Sequence, residues 1–154
     1  MTRHLRDLTS TENLLVVSSR FWFKAHMFRC NTPLILLRDV FKSANLSNSI
    51  RDFHSVMMAV AHMTKSKLSP NYQTPVTGVA EELLIKIIRL AQRGDDEELN
   101  IIFSKFFFEG DSSHFISAAN NVAENFFKNN LIIKSDVNEN IFYQELNTKE
   151  YAVN

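Results

Sequence analysis

Five histidines and one cysteine are the side chains in this chain best suited to acid–base, metal or nucleophilic chemistry. His54 and His62 lie in HSVMMAVAHM, eight residues apart on one apolar, helix-like stretch. At about 1.5 Å of rise per residue that separates them by roughly 12 Å, too far to share a metal ion. Neither HExxH nor ExxH occurs. The methionines between the two histidines fit the ordinary filling of an irregular core better than a copper or haem box. Cys30 would need a base and an oxyanion hole to act as a nucleophile, and the sequence shows neither. No serine stands in a Gly-flanked strand-to-helix elbow. With 3 scattered glycines the chain has neither GxGxxG nor a Walker A loop to cradle a phosphate. Asp95-Asp96-Glu97-Glu98 is the one carboxylate cluster; it opens a helix, where negative charge suits the dipole, and lacks the alternation of a calcium loop. No catalytic residue, cofactor or metal site is therefore expected.

The elements that would position any site are helices. The chain has 154 residues, 45% apolar and 22% charged, enough for one domain with its own core. Only 3 Gly and 3 Pro leave few breakers, which favours long helices over many short strands. The clearest passage is 81–108. Leu83, Leu84, Ile87, Ile88 and Ala91 recur at helical spacing. Arg89 and Arg93 close that helix, Gly94 supplies the left-handed turn, and Asp95 with Glu98 forms a capping box for the next.

Four more helices follow from the same signals. Thr9 and Glu12 box the start of a first helix reaching about Arg29, with Leu14, Val17, Phe21, Ala25 and Phe28 on its buried face, widened on one flank by Leu15 and Trp22 where Ser18 interrupts it. Thr32 caps and Pro33 opens a second over about 33–44, with Leu34, Leu37, Val40, Phe41 and Ala44 inward. A third over about 49–64 turns Ile50, Phe53, Met57, Val60 and Ala61 inward. The sixth, about 112–128, buries Phe115, Ala119, Val122, Ala123 and Phe126. Residues 1–8 read as a loosely held lead-in, 65–78 as the longest loop and a hinge, and 131–133 as an apolar stretch packing on the bundle. The expected architecture is all-α, one domain over 1–133 with about six antiparallel-neighbour helices, and a polar tail over 134–154 whose weak apolar cluster is Ile141-Phe142-Tyr143.

A single cysteine excludes an internal disulfide and a multi-Cys zinc site, and it fits a reducing cytosol. The opening MTRHLRDLTSTEN carries charge where a signal peptide needs an apolar run. The longest uncharged apolar run, 53–64, is too short to span a bilayer, so a cytoplasmic protein without transmembrane segment is expected. Net charge is zero, yet residues 1–75 carry +6 and 76–154 carry −6. Scattered basic residues favour two halves that attract each other, within one chain or across a dimer, over a patch for an anionic partner.

Two segments suggest partners. Residues 37–57 have the layout of a helix-turn-helix, with Asn48, Ser49, Arg51, Asp52 and His54 as exposed candidates on the second helix and Lys42 on the first. Arg51 is the only fixed positive charge of that second helix, and Asp52 would oppose phosphates. In RFWFKAHMFR, Phe21, Trp22, Phe23, Met27 and Phe28 exceed what one helical face holds at about 100° per residue. Some of them should meet a second layer of the domain, a lipid surface or another subunit; aromatics, Met and Arg are what interfaces favour. A homodimer using Phe21, Trp22, Phe23 and Met27 is the expectation.

The passage EELLIKIIRLAQRGD with its following apolar helix, joined to the aromatic-rich first helix, resembles a family of short, all-helical bacterial proteins of uncharacterised function. The resemblance covers roughly residues 13–131 and rests on core positions and a helix cap. It implies an all-helical fold and carries no functional residue across. The reading from the residues is a non-enzymatic, cytosolic protein-interaction or regulatory module. One alternative is nucleic-acid binding through 37–57, with Lys42 and Arg51. The second is a small-molecule-binding protein with an aromatic pocket between helices.

Overall fold

The computed structural model describes residues 2–64, 74–107 and 109–134. Six α-helices account for most of them: α1 Ser10–Phe28, α2 Asn31–Ser43, α3 Ile50–Thr64, α4 Val79–Gln92, α5 Asp96–Phe106 and α6 Ser113–Lys128. The chain is an all-α bundle. Short 3-10 turns at Leu5–Asp7 and Ser47–Ser49 lead into α1 and α3.

α4 is the central helix. It buries Ala80, Leu84, Ile85, Ile87, Ile88, Leu90 and Ala91, apolar on nearly every side, as a helix packed all round must be. It packs against α1, α3, α5 and α6, while α3 and α6 also pack on each other. α2 lies outermost, on α1. Phe53, Val56, Met57 and Val60 of α3 and Phe115, Ala119, Val122 and Phe126 of α6 complete the core, with Leu37 and Phe41 from α2.

The punctuation around Gly94 is as the spacing predicts except that only half of the expected capping box forms. Gly94 has φ +71, a left-handed turn that a side chain would strain. The Asp95 side chain accepts from the Glu98 amide at 3.1 Å. The reciprocal half of that box does not form, because the Asp95 amide already donates to the Leu90 carbonyl at 3.0 Å. The Thr9–Glu12 box is complete.

Four further expectations are corrected. α2 starts at Asn31 with Cys30, not Thr32, in the cap position. Pro33 sits within the first turn, where amides have no intrahelical partner, so the missing N–H loses nothing and the helix begins earlier. The inward face of α1 is rotated toward its expected flank: Leu15 and Trp22 are buried as expected, joined by Val16, Ser18, Ser19 and Phe23, while Leu14 and Phe21 are only partly buried and Val17 and Phe28 are exposed. Ser18 and Ser19 are small enough to lie against a neighbouring helix, and the Ser19 hydroxyl donates to the Val16 carbonyl at 2.8 Å. Residues 2–8 are firmly tied rather than loose. Leu5 N–H donates to Pro75 O and Thr77 N–H to Arg3 O, both at 2.8 Å, beside an antiparallel bridge between His4 and Val76. Arg3 ion-pairs with Glu12 and Glu82. The third correction bears on the fourth: residues 75–77 of the expected hinge are the strand-like partner of this lead-in, while 65–73 lie outside the described residues.

Two ion pairs, Arg3–Glu82 and Arg20–Glu81, join the basic first half to the acidic second half within one chain. Beyond α6, Gln92 clamps 131–133, donating to Leu131 O at 2.8 Å and accepting from Ile133 N at 2.9 Å. Ile133 is buried as expected, and the tail from 135 onward, including Ile141-Phe142-Tyr143, lies outside the described residues.

Candidate anion-binding pocket

The corner where α1 runs into α2 faces the first turn of α3. Arg29 holds that corner in the left-handed conformation, φ 47 and ψ 42, which is uncommon for a residue with a side chain. A pocket of about 470 Å³ opens there, within the roughly 300–1,000 Å³ typical of small-molecule sites. Ala25, Leu34, Leu37 and Ile50 make its apolar surface, and Trp22, His26 and His54 its aromatic wall. Arg29, Arg38 and Arg51 line it from three different elements, and no carboxylate does. None of the three guanidiniums forms an ion pair among the described residues.

The aromatic wall is ordered by contacts within the chain. Trp22 stacks on His26 with centroids 4.2 Å apart and meets Phe23 edge-on at 5.3 Å. Its Nε1–H donates to His54 Nδ1 at 3.0 Å. The His26 and His54 rings lie 5.4 Å apart. Partial burial holds the His54 pKa below the usual histidine value, and charge on His26 lowers it further.

That lowering has a consequence for stability. The folded state favours neutral His54, whereas the unfolded chain takes up the proton at an ordinary histidine pKa, about 6.5. Stability should therefore be level above pH 7 and fall as pH drops through about 6.5 toward the lower folded value. Urea midpoints at pH 7.5, 6.5 and 5.5 check this. His54→Asn, whose side-chain oxygen can still accept from Trp22, should flatten the wild-type decline between pH 7 and 5.5.

The structure sorts the residues singled out from the sequence. Trp22 and Phe23, read as dimer-interface residues, are buried in the chain's own core; Phe21 is half-buried and Met27 exposed. The surplus of aromatics is taken up largely by a second layer, because α1 is packed between α2 on one side and α3 and α4 on another. Arg51 is in the pocket, whereas Lys42, its partner in the nucleic-acid reading, does not line it. Ser49, an exposed candidate in that reading, is buried, and its hydroxyl accepts from the Asn125 amide at 2.8 Å. Cys30 is exposed at the pocket margin.

Sequence reasoning passed over Arg29, Arg38 and His26. A signal was present: Arg29, Arg38 and Arg51 each lack an acidic residue three or four positions away, where helical ion pairs form. Lys42, by contrast, has Asp39 at that spacing.

No group of three or more His, Cys, Asp or Glu able to hold a metal occurs among the described residues. No helix among them is long and apolar enough to cross a membrane. Comparison with protein-family models, curated proteins and solved structures finds no match, so the resemblance drawn from 13–131 rests on its own residues.

Proposed function

We propose that this protein is a small-molecule-binding helical module whose pocket takes an organic anion. The observation that carries the reading is the convergence of Arg29, Arg38 and Arg51 on one concave, partly apolar surface without a carboxylate. Like charges gathered in one place oppose folding, and a bound anion with an apolar body would relieve that repulsion while covering Leu34, Leu37 and Ile50. The role is binding without turnover. We place it in the cytosol, where a free, exposed thiol such as Cys30 stays reduced.

The test is thermal unfolding at low salt with phenyl phosphate and benzoate. At one hundred times Kd a ligand adds about 2.7 kcal/mol, which raises Tm by roughly 5–10 °C in a chain of this size. Arg38→Gln/Arg51→Gln should fold normally, since both side chains are exposed, and lose most of the shift. Equal shifts in both proteins, or none in either, would sink the reading.

A protein-interaction role is the second reading, carried by Phe28, 60% exposed, with Met27 and Ile35 also exposed around the same corner. Its simplest form is a homodimer. Sedimentation at low micromolar concentration should then show twice 17.8 kDa, and Phe28→Ser should return it to 17.8 kDa. A wild-type protein that sediments at 17.8 kDa would refute the dimer. Nucleic-acid binding draws less support, because Arg51 lines a pocket that Lys42 does not share.

A further inference from the structure

The pocket contains one donor whose proton position the fold dictates. An indole N–H donates and never accepts. With Trp22 Nε1 at 3.0 Å from His54 Nδ1, that nitrogen must keep its lone pair, so neutral His54 carries its proton on Nε2. Trp22 is 3% exposed, and a buried N–H stripped of its acceptor is costly. The indole therefore holds the tautomer. Nε2 lies across the imidazole from the atom that faces Trp22, makes no hydrogen bond among the described residues, and belongs to a ring that lines the pocket.

Resting on the pocket's reading as an anion site, we propose that His54 is its specificity-determining donor. Its Nε2–H joins Arg29, Arg38 and Arg51 in selecting a phosphate monoester on an apolar body, and Trp22 is the positioning residue. Four donor groups with three fixed positive charges match a phosphoryl group, which offers three terminal oxygens and up to two negative charges. A carboxylate offers two oxygens and one charge, and would leave donors unused. A cation would meet only repulsion.

Calorimetric titration of the full chain at pH 7.5 and low salt, with phenyl phosphate, benzoate and benzylamine, tests this. Phenyl phosphate should bind about tenfold or more tighter than benzoate, and benzylamine should not bind. His54→Leu should weaken phenyl phosphate by up to about tenfold, the worth of one good hydrogen bond, and narrow its advantage over benzoate. Nitrogen-15 NMR of wild type should show His54 as the single Nε2–H tautomer; Trp22→Phe, which keeps a ring but no donor, should release it into a mixture. Two results would overturn the inference while leaving the anion pocket standing: an Nδ1–H tautomer in wild type, or phenyl phosphate binding unchanged in His54→Leu but lost in Arg51→Gln. Benzoate binding as tightly as phenyl phosphate would do the same. Failure of both oxyanions to bind would remove the pocket reading itself.

Discussion

Phe53→Ala should destabilise the protein by about 4 kcal/mol, the upper part of the range for emptying a core aromatic. Phe53 is fully buried in α3 and meets Phe41 of α2 edge-on, with ring centroids 5.0 Å apart. Removing the ring therefore opens a void between α2 and α3, and deletes an aromatic pair besides. Neither neighbour can collapse into the space easily. Phe41 is itself fully buried, and the polypeptide between Phe41 and Phe53 is pinned by Leu46 N–H donating to Phe41 O at 2.7 Å. Against a typical total of about 5–15 kcal/mol the loss is large, and Tm should fall by roughly 10 °C. Urea unfolding with an unchanged m-value would measure it. Phe53→Leu should recover more than half, because it restores most of the volume. A loss below about 1 kcal/mol for the alanine variant would mean that this contact between α2 and α3 is not part of the cooperative core.

How far these features were legible depends on whether the signal was local. The α4–Gly94–α5 hairpin could be read residue by residue, since periodicity, a left-handed glycine and a capping aspartate are all properties of neighbours in the chain. The inward faces of α2, α3 and α6 followed from the same periodicity. α1 defeated it. Hydropathy counting favoured Val17 and Phe28, but close packing chose the side with Ser18 and Ser19, whose small size lets helices approach. The tie between 2–8 and 74–77 was invisible because it is a backbone pairing between segments about seventy residues apart. The pocket was half legible. The want of acidic partners for Arg29, Arg38 and Arg51 can be read from the sequence, whereas the meeting of Trp22 with His54 depends on how α1 crosses α3.

Glu81→Ala should cost about 3 kcal/mol, far more than an exposed ion pair, which is worth roughly 0–1 kcal/mol. The carboxylate does several tasks at once. It accepts from Arg20 Nε at 2.6 Å and from Arg20 Nη2 at 3.1 Å, a two-pronged pair whose side chains are only 15% and 9% exposed. It also accepts from the Gly78 amide at 2.9 Å, reaching back over the first turn of α4. Arg20 in turn donates to the carbonyls of Thr74 at 3.0 Å and Val76 at 3.1 Å. Alanine would leave a mostly buried guanidinium without its counter-charge, an amide without its cap, and the arginine that anchors Thr74 and Val76 to α1 without the partner that orients it. Because the 74–77 segment also holds residues 3–5, the loss should spread to the N-terminal lead-in and speed its proteolysis before global unfolding. Glu81→Gln keeps the shape and one acceptor but not the charge, so it should cost about half as much. Arg20→Met separates the pair from the cap: if the pair dominates, the double variant Arg20→Met/Glu81→Ala should be less destabilised than the two single losses added together, by more than about 1 kcal/mol. Strict additivity would show instead that Glu81 acts through Gly78 and that the contact with Arg20 contributes little.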